Sequence, residues 1–290
     1  MVDAVLGGRE VARAAGMITV LSLGAGVQSS ALALMAAHGE VTPMPDIAIF
    51  ADTGWEPKAV YDWLAWLETQ LPFPVTTVGA GNLREDQITA RVRGKKDENG
   101  GRWVALPYFT RDSDTGSIGL MRRQCTSEYK IYPIEHFIRH ELMRLRPRQR
   151  APKVLTIEQW YGISLDEVTR CKKEFVEPWR RNRYPLIEQR MTRGHCLEWM
   201  ARNGYPQPPR SACLGCPFHS DEEWQRIKDG PADEWAGVVE FDAAIRKAGG
   251  MRGDTFIHRS CKPISEVEFS TVAASGQYSM LDECEGMCGV

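Results

Sequence analysis

Ile18 to Leu23 (ITVLSL) is a short, mostly apolar run that ends in Gly24-Ala25-Gly26; Ser29 and Ser30 then open Ala31 to Ala37, a stretch of strong helix formers. A buried strand, a glycine turn and a helix start in that order leave few folds open. Asp46 to Ala51 (DIAIFA) repeats the pattern as a second buried strand and ends in Asp52-Thr53-Gly54. Pro57 then opens a segment with Val60, Trp63, Leu64 and Leu67 at helical spacing, and Val75 to Val78 supplies a third strand. Strands alternating with helices predict an α/β fold with a Rossmann-like parallel sheet, in which ligands bind beyond the carboxyl ends of the strands.

Further along, Gly79 to Leu120 loses periodicity and becomes Gly-rich around Gly94 to Gly101, which reads as a flexible excursion or lid. A helix is expected from Pro133, with Ile134, Phe137, Ile138, Leu142 and Leu145 on one face, and a strand over Val154 to Ile163. Ser220 and Glu223 have capping-box spacing at another helix start, and a last helix is expected over Asp233 to Lys247. No internal repeat or low-complexity tract is present.

At 290 residues and 43% hydrophobic, the chain can bury one large domain or two unequal ones. The expected divisions are an N-terminal extension (1–16), an α/β unit (17–195) and a C-terminal cysteine-bearing segment packing on it (196–290). No apolar run approaches the roughly 18 residues a membrane helix needs, and the charged first 16 residues lack a secretory pattern. A cytoplasmic protein with no membrane partner is expected.

The turn after the first strand has the parts a phosphate needs. Glycines let backbone N–H groups approach, the helix start adds partial positive charge, and serines donate. Ser22, Gly24, Gly26, Gln28, Ser29 and Ser30 are therefore candidate phosphate-binding residues, with a plain tight strand-to-helix connection as the structural alternative. There is no Gly-Lys-Ser/Thr and no GxGxxG spacing here. Ser22 to Ser30 resembles the loop of the pyrophosphate-loop superfamily, the adenine nucleotide alpha-hydrolases: Gly26-Val27-Gln28-Ser29 fits its second half, with Gln28 where an Asp is common.

The resemblance continues downstream. Phe50-Ala51-Asp52-Thr53-Gly54-Trp55-Glu56-Pro57 is similar to the Asp-Thr-Gly motif of the phosphoadenosine phosphosulfate reductase family, which would put Asp52, Thr53 and Gly54 on the nucleotide or its metal; an N-terminal helix cap is the alternative for Asp52. Cys125-Thr126-Ser127-Glu128-Tyr129-Lys130-Ile131-Tyr132-Pro133-Ile134 resembles that family's Cys-x-x-x-x-Lys-x-x-Pro-Leu segment. Gly162 to Arg170 (GISLDEVTR) resembles its Gly-Ile-Arg-x-x-Glu-Ser-x-x-Arg, and Tyr184-Pro185-Leu186-Ile187 its Pro-Leu-Ile segment. Together these cover about residues 17 to 220, in the family's order. The resemblance implies that Lys130 and Arg170 face substrate phosphates or sulfate as catalytic cations; solvated surface charge is the alternative.

All eight cysteines lie at or after Cys125, and four of them form the close pairs Cys213/Cys216 and Cys284/Cys288. Ser211-Ala212-Cys213-Leu214-Gly215-Cys216 puts two thiols on one small loop, a spacing shared by zinc knuckles, iron–sulfur clusters and redox dithiols. The family resemblance implies a [4Fe–4S] cluster held by Cys125, Cys213 and Cys216, with zinc as the alternative metal. The fourth ligand would come from Cys284 or Cys288 in the tail, and Cys284 is also a candidate nucleophile because Glu283-Cys284 loosely resembles the catalytic tail of sulfonucleotide reductases. Cys171, Cys196 and Cys261 read as buried structural thiols, and His219 as a cap or support for the Cys213/Cys216 loop.

Net charge is −2, but Arg122 to Arg193 holds 17 Lys/Arg against 9 Asp/Glu, which is either solvated surface or a groove for an anion. The resemblance implies an ATP- and Mg²⁺-using adenylating enzyme of sulfur metabolism. It would activate a nucleic-acid or small-molecule acceptor for sulfur insertion, with a cysteine desulfurase as sulfur donor. The alternatives are a reductase of adenylyl sulfate or its 3′-phosphate and a metal-stabilised, non-catalytic nucleotide-binding module.

Overall fold

The computed structural model describes residues 16–89, 106–171, 177–246 and 253–270. In chain order the described strands are β1 (Ile18–Leu23), β2 (Ile47–Asp52), β3 (Val75–Gly79), β4 (Phe109–Arg111), β5 (Ile118–Leu120), β6 (Ile157–Tyr161), β7 (Arg180–Arg183) and β8 (Asp254–Phe256). Five of them form a sheet in the order β3-β2-β1-β6-β7, every pair parallel. The register runs through Val20↔Ile47 on one side of β1 and Ser22↔Tyr161 on the other. The sheet therefore grows outward from β1 in both directions, and the crevice between the carboxyl ends of β1 and β6 is its topological switch point.

A parallel sheet must cover both faces, and the strand residues sort by alternation. Leu21, Leu23, Ala48, Phe50 and Trp160 point to one face, where they pack with helix α1 (Val27–Ala37) and helix α2 (Lys58–Gln70). Helix α1 is buried from Val27 to Ala36, which accounts for its Ala- and Leu-rich sequence: it is a middle layer, not an amphipathic surface helix. Val20, Ile47, Ile49, Ala51 and Ile157 point to the other face, against Ile134, Ile138 and Leu142.

That second face is covered by a continuous helical segment from Thr126 to Leu142, wound as π-helix over Thr126–Ile131, as helix α4 over Tyr132–Phe137 (α3 being Leu83–Thr89), and as π-helix again over Ile138–Leu142. Helical geometry thus begins seven residues before Pro133. The Tyr132 N–H reaches back to Ser127 O, an i→i−5 bond, so a widened turn precedes the residue that has no N–H of its own. The strand expected over Val154 to Ile163 is confined to Ile157–Tyr161; Val154 and Leu155 are exposed and pair with no strand among the described residues.

The expected lid between Gly79 and Leu120 contains regular structure at both ends: helix α3 and the antiparallel strands β4 and β5, which join β8 in a small sheet ordered β5-β4-β8. Three-residue strands are too short to show a period, and Phe109 pairs with Phe256, far along the chain. The Gly-rich part, 94–101, lies outside the described residues. Beyond β7 come helices α5 (Pro185–Glu188), α6 (Arg193–Arg202), α7 (Asp221–Asp229) and α8 (Ala232–Ala244). The boundary drawn between residues 195 and 196 falls inside α6, which packs on α1 through Cys196, Trp199 and Met200 and so belongs to the sheet's layer. The later elements build a separate cluster around Trp55, Tyr108, Trp224 and Phe241. Among the described residues no helix is long and apolar enough to cross a membrane.

Candidate functional site

The turn from β1 into α1 is held by its own polar groups. Gly24 N–H donates to Ser29 Oγ at 3.2 Å, Ser29 Oγ donates to Gly26 O at 3.4 Å, and Ser30 N–H closes the first helical bond to Gly26 O at 3.0 Å. Ala25 takes a left-handed backbone (φ +57°) with its side chain buried, while Gly26 is extended. The position that demands glycine is Gly162, just past β6: a Cβ there would stand 2.7 Å from Ser29 Cα and 2.8 Å from Ser29 N. Its bareness lets the end of β6 lie against the start of α1.

A cleft opens at this switch point, lined by Ser22, Gly24, Gly26, Gln28 and Ser29 from the first unit, Tyr161 to Ile163 from β6, and Arg193, Arg210 and Ser211. Ser22 Oγ accepts from Gln159 Nε2 at 2.8 Å, and Gln28 Nε2 lies 3.5 Å from Ser164 Oγ. Ser211 Oγ donates to Gly24 O, tying the approach to the cysteine loop onto the glycine turn after β1. Ser30 is the exception among the expected residues. About 100° around the helix from Ser29, it is fully buried and accepts from Trp63 Nε1 at 2.9 Å, so it braces α1 on α2 and does not face the cleft.

The cations lining this cleft are Arg193, at the start of α6, and Arg210. Sequence reasoning missed both as site residues. The available signals were the Thr192 cap, which accepts from His195 N–H and places Arg193 at a helix start, and the closeness of Arg210 to Cys213. Arg210 also pairs with Glu223 at 3.5 Å. Tyr161 is held neutral because burial pushes its phenol well above the ordinary range.

Asp52, Thr53 and Gly54 lie at the end of β2, next to this cleft's strand but not in its lining. Asp52 Oδ1 accepts from Gly54 N–H and from Tyr61 Oη, both at 2.8 Å, the first closing a tight Asx turn. Gly54 has φ +70° and sits against Asn82, where a Cβ would come within 3.0 Å of Asn82 Cα. Thr53 is buried: its Oγ1 donates to Glu56 Oε1 at 3.0 Å and lies 3.2 Å from Cys213 Sγ.

Lys130 joins the same cluster. Its Nζ is 3.2 Å from Glu56 Oε1, a buried ion pair whose carboxylate side chain is wholly enclosed, and Cys213 Sγ is 3.5 Å from that oxygen. Among the described residues Glu56 Oε2 has no hydrogen-bond partner. Lys130 is therefore neither solvated surface charge nor part of the β1/β6 cleft. Arg170 is mostly buried in the 3₁₀ turn Leu165–Arg170 and pairs there with Glu167; it is not in the cleft lining either.

The turn Cys213 to Cys216 is closed by Cys216 N–H to Cys213 O at 3.0 Å and docked by Leu214 N–H to Trp55 O at 3.0 Å. His219 Nε2 donates to Cys213 O at 2.9 Å, the capping role expected of it. Burial first, then the Arg210 charge, lower its pKa to about 3, so the ring is neutral. Cys125 packs against the same apolar cluster as Cys213. Among the described residues, however, no three His, Cys, Asp or Glu side chains converge into a metal site. The described thiols alone do not assemble the expected ligand set, and Cys284 and Cys288 lie outside the described residues. Cys196 and Cys261 are buried as expected, whereas Cys171 is part-exposed.

No protein-family model matches the chain, and no curated protein matches it either. The class that stands on the structure is an α/β protein with a Rossmann-like parallel sheet and a cleft at its switch point lined by serines, glycines and two arginines.

Proposed function

We propose that this chain is an ATP-using, adenylating enzyme of sulfur transfer, of the adenine nucleotide alpha-hydrolase type and similar to the phosphoadenosine phosphosulfate reductase family. The observation that carries the reading is the cleft at the β1/β6 switch point, where Gly24, Gly26 and Ser29 at the helix start and Arg193 and Arg210 line one opening. Backbone donors at a helix start together with two guanidinium groups suit a polyphosphate carrying several negative charges. Ser211 lines the same cleft, and Cys213 follows two residues later, which limits their Cα separation to about 7 Å.

In this reading an acceptor oxygen attacks the α-phosphorus of ATP, the bond to the β-phosphate oxygen breaks, and pyrophosphate leaves. Sulfur then displaces AMP from the adenylated acceptor. The loop amides and arginines position the phosphates and offset the charge that builds on their oxygens, while Mg²⁺ arriving with ATP neutralises part of it. A nucleic acid or small molecule is the acceptor, and a cysteine desulfurase the sulfur source. A [4Fe–4S] cluster on Cys125, Cys213 and Cys216, or zinc in its place, belongs to the proposal as a sulfur-handling group completed by Cys284 or Cys288. No step is assigned to it.

Pyrophosphate release from ATP, followed anaerobically across candidate acceptors, tests this function. Release that depends on acceptor supports it. Sulfite release from adenylyl sulfate would replace it with the reductase reading, and nucleotide binding without any turnover would leave a binding module.

A further inference from the structure

The helical segment Thr126–Leu142 runs antiparallel to the sheet. Near its start Lys130 reaches Glu56, just beyond the carboxyl end of β2; from its end the chain passes into the loop that leads to the amino end of β6 at Ile157. Its inner face, Ile134, Ile138 and Leu142, is spent on the sheet. Its outer face carries Tyr132, 62% exposed, then His136 and His140, each one turn further on. The ring centroids are 6.0 Å apart for Tyr132 and His136 and 4.4 Å for His136 and His140, a ladder of rings along the helix.

That ladder ends at a cationic loop. Arg146, Arg148, Arg150 and Lys153 are all exposed, and no Asp or Glu occurs between Leu142 and Ile157. Glu141 is the one exposed carboxylate between Thr126 and Ile157. The loop is pinned: His140 Nδ1 lies 2.7 Å from Leu145 O, Arg139 Nη2 donates to Gln149 O at 3.2 Å, and Gln149 Oε1 accepts from Arg146 N–H at 2.9 Å. A merely solvated face has no need of ring-to-ring contacts that lead into a cationic loop whose backbone is held by Arg139 and His140 of the same helix.

We propose that this face, Tyr132–His136–His140 continuing into Arg146, Arg148, Arg150 and Lys153, is a docking track for single-stranded nucleic acid, separate from the β1/β6 cleft. Unpaired bases would stack on the rings, while the loop's cations take the phosphates. The inference does not rest on the ATP reading, and loss of ATP binding would leave it standing.

Fluorescence anisotropy of the whole protein with a labelled, mixed-sequence single strand of about 20 nucleotides tests it. Arg146→Ala/Arg148→Ala/Arg150→Ala is expected to weaken binding and to flatten the log–log salt dependence by about 2, roughly 0.7 for each phosphate no longer neutralised. Tyr132→Ala/His136→Ala is expected to weaken binding about five- to hundredfold with the salt slope unchanged, because stacking carries no counterion term. Absence of single-strand binding at low salt would overturn the proposal. So would duplex bound as tightly as single strand with the ring variant indifferent, or binding confined to anionic phospholipid vesicles.

Discussion

Replacing Gly162 with alanine would put a methyl carbon 2.7 Å from Ser29 Cα, against backbone that cannot yield without moving the start of α1. The expected outcome is a loss of about 1–3 kcal/mol in urea denaturation and at least tenfold weaker ATP binding, since Gly26 to Ser29 of the cleft lining move with that helix start. Ser29→Ala should be milder, removing one hydroxyl that bridges Gly24 and Gly26. Lys130 and Glu56 make the opposite kind of test. Lys130→Met leaves a carboxylate enclosed without its cation and is expected to cost about 3–5 kcal/mol, whereas Lys130→Met/Glu56→Gln should recover much of that. A single variant that folds with unchanged stability would show that the pair is not the brace described. Cys196 gives a pH signature: burial first, and then Asp166, push its thiol up to about 12. The unfolded thiol ionises near 9 and the folded one does not, so this group's contribution to stability holds below pH 9 and falls by about 1.4 kcal/mol per unit as pH rises toward 12. Alkylation mapped by mass spectrometry at pH 8 should spare Cys196 until the protein is denatured.

The turn between Cys213 and Cys216 follows closely on Ser211 of the cleft lining and meets the buried Thr53 and Glu56 through Cys213. A Cβ on Gly215 would fall 2.2 Å from the Trp55 ring, itself packed at 4.4 Å on Phe241, so Gly215→Ala is expected to lift the turn off Trp55 and raise the thiol reactivity of Cys213. Unchanged reactivity would mean that the turn is not docked through this glycine. The main elements were legible because each carries a local signal. β1 and β2 are continuous, mostly apolar runs buried on both faces, α2 has apolar residues at helical spacing, and α7 begins where Ser220 accepts from Glu223 N–H. Helix α6 escaped because Arg193, Gly194 and His195 begin it without an apolar stripe, and its cap partner is a histidine in place of the usual Glu or Gln. Strands β4, β5 and β8 escaped because pairing with a distant strand, not local preference, makes them strands.

At the scale of the whole molecule, the chain builds one cleft from segments more than a hundred residues apart. The loop from Ser22 to Ser29 is visible in sequence because strand, glycines and hydroxyls are contiguous. Gly162, Arg193, Arg210 and Ser211 complete it only through folding: β6 pairs with β1, and Ser211 bonds Gly24. The same folding draws Ser30 into the core against Trp63 and places Lys130 with Glu56 and Cys213, outside the cleft. A two-part charge pattern follows, with arginines at the mouth of the switch point and a second cationic loop at the other end of the sheet. Calorimetric titration of ATP with Mg²⁺ into the wild-type protein and into Arg210→Ala and Gly162→Ala is the most direct test of the central claim. Saturable binding to the wild type, weakened at least tenfold in both variants, is the expected result. Wild-type protein that binds no ATP, or binding indifferent to both substitutions, would contradict a nucleotide site at the β1/β6 crevice.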